Sequence, residues 1–240
     1  MPPGYPSRMA EAGMRATWDA AAASERPEVY VGDPARGREE LESLFARLGD
    51  DPRGGVCVEV GCGPARMTGH LAERFDRVIA LDVSPAMLDA ARESIRGEAV
   101  EFLLVSGERL DGATDGSADV LVCYLVLQHL PSRRHLLAYL AEFGRVLAPG
   151  GRAFVQLPVL GPGLRPRAWR LLRTLAVPLR SRLRGEIASQ PAYRGFRLTE
   201  AELEAGLAVA GLRVAARDEG GRSPYRYARE VFLRLEQAGE

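Results

Sequence analysis

The sequence predicts an α/β fold: a doubly wound, mostly parallel seven-stranded sheet completed by a C-terminal antiparallel hairpin. Three observations predict it. Short apolar runs alternate with stretches of helical period through the middle of the chain, the pattern of parallel strands joined by helices. The chain has 240 residues, of which 46% are hydrophobic and 27% charged, enough to bury a large core without disulfides or metal. No apolar run approaches the ~20 residues of a membrane span.

In order, Met9 to Ser24 and Arg38 to Leu48 read as two N-terminal helices. Gly55 to Val60 is the first strand, and Ala65 to Phe75 the helix after it. Val78 to Leu81, ending at Asp82, is the second strand. Ser84-Pro85 supplies an N-cap and a proline for the first helical position, opening a helix over Ala86 to Ile95. Val100 to Val105 and Ala118 to Cys123 are the third and fourth strands. Ser132 caps a helix with apolar residues at the 3.6 period, and Pro149-Gly150-Gly151 stops it before a fifth strand, Arg152 to Leu157. Thr199-Glu200-Ala201-Glu202 is a capping box. Leu212 to Ala216 and Tyr227 to Leu235, joined by a Gly/Ser/Pro-rich link, form the hairpin. These elements divide into an N-terminal helical cap (1–52), a cofactor-binding core (53–160), an arginine-rich helical insertion expected to form a lid or solvated cap (161–198) and a C-terminal completion of the same domain (199–240).

The 32 basic residues balance the 32 acidic ones, and every basic residue is arginine. Lysine chemistry is therefore excluded. Arg165 to Arg197 carries nine arginines against one acid, Glu186, so a basic segment sits on an acidic body. Drawn as a helix, Trp169, Leu172, Leu175, Ala176, Leu179 and Leu183 share one face, and Arg170, Arg173, Arg180 and Arg184 crowd another. Pro178 is expected to split it into two short helices. Cys57, Cys62 and Cys123 have no metal-ligand spacing and read as reduced, buried thiols. With no signal-peptide pattern in Met1-Pro2-Pro3-Gly4-Tyr5-Pro6, the expected location is cytoplasmic.

Val58-Glu59-Val60-Gly61-Cys62-Gly63-Pro64-Ala65-Arg66 runs from a strand through a glycine turn into a helix. Glycines let the backbone approach a ligand, and the helix start offers unpaired N–H groups. Asp82 ends the next strand, nineteen residues after Gly63. In a parallel sheet it then lies beside the turn, at the edge where ligands bind. A carboxylate there can accept both hydroxyls of a ribose. Arg66 occupies the place where a dinucleotide fingerprint needs its third glycine, which argues against NAD.

In these residues the chain resembles the class I S-adenosylmethionine-dependent methyltransferases. Val58 to Arg66 is similar to their first motif, and Val78 to Leu88 to their ribose-binding second strand. Ala118 to Pro131 is similar to their fourth strand and the loop after it, and Leu147 to Gly151 to their turn into the fifth. The resemblance implies a Rossmann-like fold with S-adenosyl-L-methionine as cofactor. It implies that Glu59, Gly61, Cys62 and Gly63 frame the methionine part and that Asp82 binds the ribose. Val83 and Met87 would flank the adenine, Ser106 and Gly107 would meet its edge, and the Tyr124 backbone would face the ammonium. Ala65 replaces a third glycine, and Ser106 an aspartate.

Methyl transfer from a sulfonium mostly requires alignment of the acceptor, with a base where the acceptor is a hydroxyl. His70 and His135 fall inside helices, on expected solvated faces. His129, after the fourth strand, has two readings: a general base, or an imidazole tying the loop to nearby backbone. Gln128 beside it could orient an acceptor. The sequence thus predicts an enzyme, a methyltransferase acting on a small-molecule acceptor at oxygen, anionic or amphiphilic in character. It predicts no nucleic acid partner, no stable membrane insertion and no metal. Methylation at nitrogen or carbon, an inactive cofactor-binding regulatory module, and an NAD-dependent oxidoreductase are the alternatives.

Overall fold

A computed structural model describes residues 7–184, 191–223 and 225–239. Helix α1 (Ser7–Ala22), the short α2 (Glu28–Val31) and α3 (Gly37–Arg47) precede the first strand. Strands β1 (Val56–Val60), β2 (Arg77–Asp82), β3 (Val100–Leu104) and β4 (Ala118–Cys123) follow, with α4 (Thr68–Ala72) and α5 (Pro85–Ser94) in the crossovers after β1 and β2. Then come α6 (Arg133–Val146), β5 (Leu147–Leu160), α7 (Leu164–Arg184), α8 (Pro191–Arg194), α9 (Glu200–Val209), β6 (Leu212–Arg222) and β7 (Ala228–Gln237).

The seven strands form one sheet in the order β3-β2-β1-β4-β5-β7-β6. Neighbours from β3 to β5 pair in parallel, and β7 is antiparallel to both β5 and β6. Six strands therefore point one way and β7 opposes them, and the sheet is mostly parallel with a C-terminal antiparallel hairpin, as the sequence predicts. Chain order reverses between β1 and β4, which opens a crevice at their carboxyl ends. Apolar clusters fill both faces of the sheet. One includes Val58, Leu121, Phe143 and Leu233, and the other Leu44, Phe45, Leu71 and Phe154. The three cysteines are free and buried.

The caps fall where expected. Ser84 accepts from the Met87 amide, Ser132 from His135, and Thr199 and Glu202 make the full capping box. Four expectations are corrected. The helix after the glycine turn shrinks to α4, because Ala65 sits at φ 67° and breaks its first turn. Strand β5 begins at Leu147 and runs through Pro149-Gly150-Gly151. His135 is buried, with its Nδ1 against the Ser132 hydroxyl at 2.7 Å. Helix α7 continues through Pro178, and it faces the body with arginines. Arg170 pairs with Glu202, and Arg173 donates to the Gly195 carbonyl at 2.8 Å. Residues 185–190 of that segment, Glu186 among them, lie outside the described residues.

Candidate active site

The carboxyl ends of β1, β2 and β4 open into a cleft holding about 1100 Å³ of empty space, its mouth included. Its floor is the glycine turn. The Gly61 and Cys62 amides both donate to the Leu81 carbonyl, at 2.7 and 3.0 Å, which ties the turn to β2. Gly61 has φ 72°, and a Cβ there would lie 2.3 Å from Val126. That glycine admits the loop after β4. Gly63 has φ 54°, and a Cβ there would meet nothing within 4 Å, so it leaves backbone open to the cleft. The residue that allows close approach of a ligand is therefore Gly63, whereas Gly61 is fixed by packing.

Two buried carboxyl groups face this floor. Asp82 accepts from the Gly63 amide on one oxygen and the Ser84 amide on the other, each at 2.9 Å. Burial pushes its pKa up, against those backbone hydrogen bonds. Glu59 accepts from the Thr68 hydroxyl at 2.6 Å, and burial raises its pKa from 4.5 to about 7. Arg66 nearby acts the other way but makes no ion pair with it, so this buried acid can receive a cation. The floor thus combines open backbone at a strand–helix turn, a carboxyl group hydrogen-bonded to it and an acid at the carboxyl end of β1, a set that fits an aminoacyl nucleoside cation.

The walls are Val83, Met87, Cys62 and Tyr124, with Gln128 and His129 on the far side. Ser106 and Gly107 do not line the cleft. The Ser106 hydroxyl caps its own loop, accepting from the Glu108 and Arg109 amides, while Gly107 leaves room for Met14 of α1. Met14 lines the cleft in their place. The Leu125 amide, at φ 60°, donates to buried Gln156 at 3.0 Å, which holds the loop after β4 in position.

His129 has both ring nitrogens engaged. Its Nδ1–H donates to the Tyr193 carbonyl at 2.8 Å, which leaves Nε2 as acceptor for the Gln128 amide at 3.0 Å. Burial lowers its pKa from 6.5 to about 4. Trp18 meets the His129 ring edge-on at 4.9 Å, and the Tyr193 ring lies tilted to it at 5.3 Å. Trp18, Tyr30 and Arg66 also line the cleft and were not foreseen. The two aromatics come from helices with no motif, and Arg66 read only as an obstacle to NAD. It is buried, paired with Glu40, with its guanidinium 5.8 Å from the centre of the Tyr124 ring. No cluster of potential metal ligands occurs among the described residues.

A family described as a methyltransferase domain matches residues 58–155, the stretch that builds this floor and wall. Over that stretch the chain is similar to a methyltransferase domain. The chain is 35% identical to a trans-aconitate 2-methyltransferase of Methylobacterium nodulans over 161 residues, covering 65% of this chain and 57% of that protein. It is 32% identical to a ubiquinone biosynthesis O-methyltransferase of Xanthomonas axonopodis over 117 residues, 48% of this chain and 47% of the other. The chain thus spans about half the length of these curated relatives. Among solved structures, the N-methyltransferase NodS of Bradyrhizobium japonicum, crystallised with S-adenosyl-L-homocysteine, superposes with a TM-score of 0.63 at 15% identity. That match covers 95% of this chain and 100% of the other, which shows a shared fold.

Proposed function

We propose that this methyltransferase acts on a small-molecule carboxylate and forms a methyl ester. The observation that carries the reading is His129. An imidazole held neutral, with one nitrogen on a carbonyl, the other on an amide and a pKa near 4, is a poor base for a hydroxyl. An acceptor oxygen must then arrive already ionised, and a carboxylate does so at neutral pH. Arg66 lines the cleft beside it, its charge shared with Glu40. Several relatives bear the name trans-aconitate 2-methyltransferase, and aconitate is a carboxylate.

When bound, S-adenosylmethionine supplies an electrophilic methyl group on a sulfonium. Asp82 and the Gly63 backbone hold the nucleoside end, and Glu59 faces the amino-acid end. Trp18, Tyr30 and His129 wall the acceptor side, excluding water and aligning the incoming oxygen, an effect worth roughly 7–11 kcal/mol where alignment is good. The N-terminal helices serve as its cover. His129 and Gln128 act as positioning residues.

A screen with methyl-labelled cofactor against carboxylic acids, phenols and amines tests this. The expected product releases its label as methanol in mild alkali. A base-stable methyl ether or methylamine as the main product would overturn the reading. His129→Ala should lower turnover by less than ~10²-fold, below the range of a lost general base, and should leave the shape of the pH–rate profile unchanged.

A further inference from the structure

We propose that α7 docks the protein onto an anionic lipid surface. The helix is built inside out. Its body-facing residues are half-buried Trp169, Arg170 and Arg173, while Leu164, Leu171 and Leu172 point to solvent with 83%, 64% and 67% of their surfaces exposed. Exposed Ala168 lies between them, so the outer stripe follows the helical period. At roughly 100° per residue, exposed Arg165 and Arg167 flank that stripe on opposite sides.

Charge selects the occupant. The 21 residues of α7 hold seven arginines and no acid. A second copy would bring the same positive charge to the contact, whereas an anionic bilayer complements it. Leucines centred on the outer face, with guanidinium groups at its margins, suit an interface where apolar side chains enter the acyl boundary and arginines reach up to headgroups. Nucleic acid would need the reverse, with arginines at the centre. The helix is not apolar enough to cross a membrane, so it lies on the surface. The docked face is one short helix from the cleft: Arg173 holds the Gly195 carbonyl just past α8, and Tyr193 of α8 holds His129.

Co-sedimentation of the full chain with vesicles tests this independently of turnover. Vesicles of equal phosphatidylcholine and phosphatidylglycerol should bind the protein at about 0.1 M NaCl, weakening as salt shortens the screening length. Pure phosphatidylcholine should bind at least about tenfold more weakly. Arg165→Gln with Arg167→Gln should weaken binding about 25-fold, at ~1 kcal/mol per arginine. Leu171→Glu with Leu172→Glu should reduce it as much or more. Unchanged melting and S-adenosylhomocysteine affinity would show that each variant is folded. Failure to bind anionic vesicles, or equal binding by folded variants of both pairs, would overturn the proposal. So would self-association abolished by the leucine pair in a protein that ignores vesicles, which would make the occupant a second copy.

Discussion

Glu59 shows how one buried acid sets a measurable property. Its pKa is raised from 4.5 to about 7 by burial, so across that interval the unfolded chain is ionised while the folded one keeps its proton. The folded state binds more protons there, and its stability falls as pH rises from about 4.5 to about 7. The effect is on the order of 3 kcal/mol at full extent. Glu59→Gln, which can still accept from Thr68, should remove this slope. The melting-temperature difference between variant and parent should grow in the variant's favour from pH 5 to 7; a constant difference would show that Glu59 is ionised throughout. Glu59 and Asp82 are legible in sequence because each sits at the carboxyl end of an apolar strand, at a fixed place beside the glycines. The separate duties of Gly61 and Gly63 are not. They depend on Val126 from the loop after β4, 65 positions along the chain from Gly61, and spacing carries no record of such a contact. The same holds for His129, whose carbonyl partner lies 64 positions downstream.

At the scale of elements, local chemistry is read well and orientation is not. Ser84-Pro85, Ser132 and the Thr199–Glu202 box all cap helices, because a cap is decided within four residues. The face of α7 is decided by tertiary partners. Glu202 closes the capping box and also receives Arg170, with Arg170 Nη2 at 3.3 Å from its second oxygen, while Arg170 Nη1 donates to the Arg197 carbonyl at 3.0 Å. These contacts turn arginines inward on a helix whose leucine periodicity alone would turn the other side in. Pro178 is tolerated within it, although proline inside a helix costs ~3 kcal/mol. Thr199→Ala should cost about 1 kcal/mol by urea denaturation, the usual loss for a cap. A double-mutant cycle of Arg170→Ala and Glu202→Ala should give a coupling of about 1 kcal/mol or more, as expected of a half-buried forked pair. A coupling near zero would mean that α7 is not held to α9 by this contact.

For the molecule as a whole, strand–helix alternation made the parallel sheet legible, and the right-handed crossover rule fixes its topology once the strands are known. The placement of β7 between β5 and β6 was not legible, since either strand of a terminal hairpin can pair with the edge. Nor was the role of α1. This helix reaches across the carboxyl edge of the sheet: Asp19 accepts from the Ser84 hydroxyl at the start of α5, Met14 fills the space beside Gly107, and Trp18 meets His129. A ligand in the cleft therefore touches the N-terminal helix and the sheet together, and its binding energy stabilises their union. S-adenosylhomocysteine at one hundred times its Kd adds ~2.7 kcal/mol to stability, which for a chain of this size raises Tm by roughly 5–10 °C. Trp18→Ala should weaken the analogue's affinity and shrink the shift at the same concentration. The only other tryptophan, Trp169, lies on α7 against Tyr227, so a fluorescence change on binding should survive Trp169→Phe and vanish in Trp18→Phe. If the Trp18 variants kept the full thermal shift and the fluorescence response moved to Trp169, α1 would be a neighbour of the cleft rather than one of its walls.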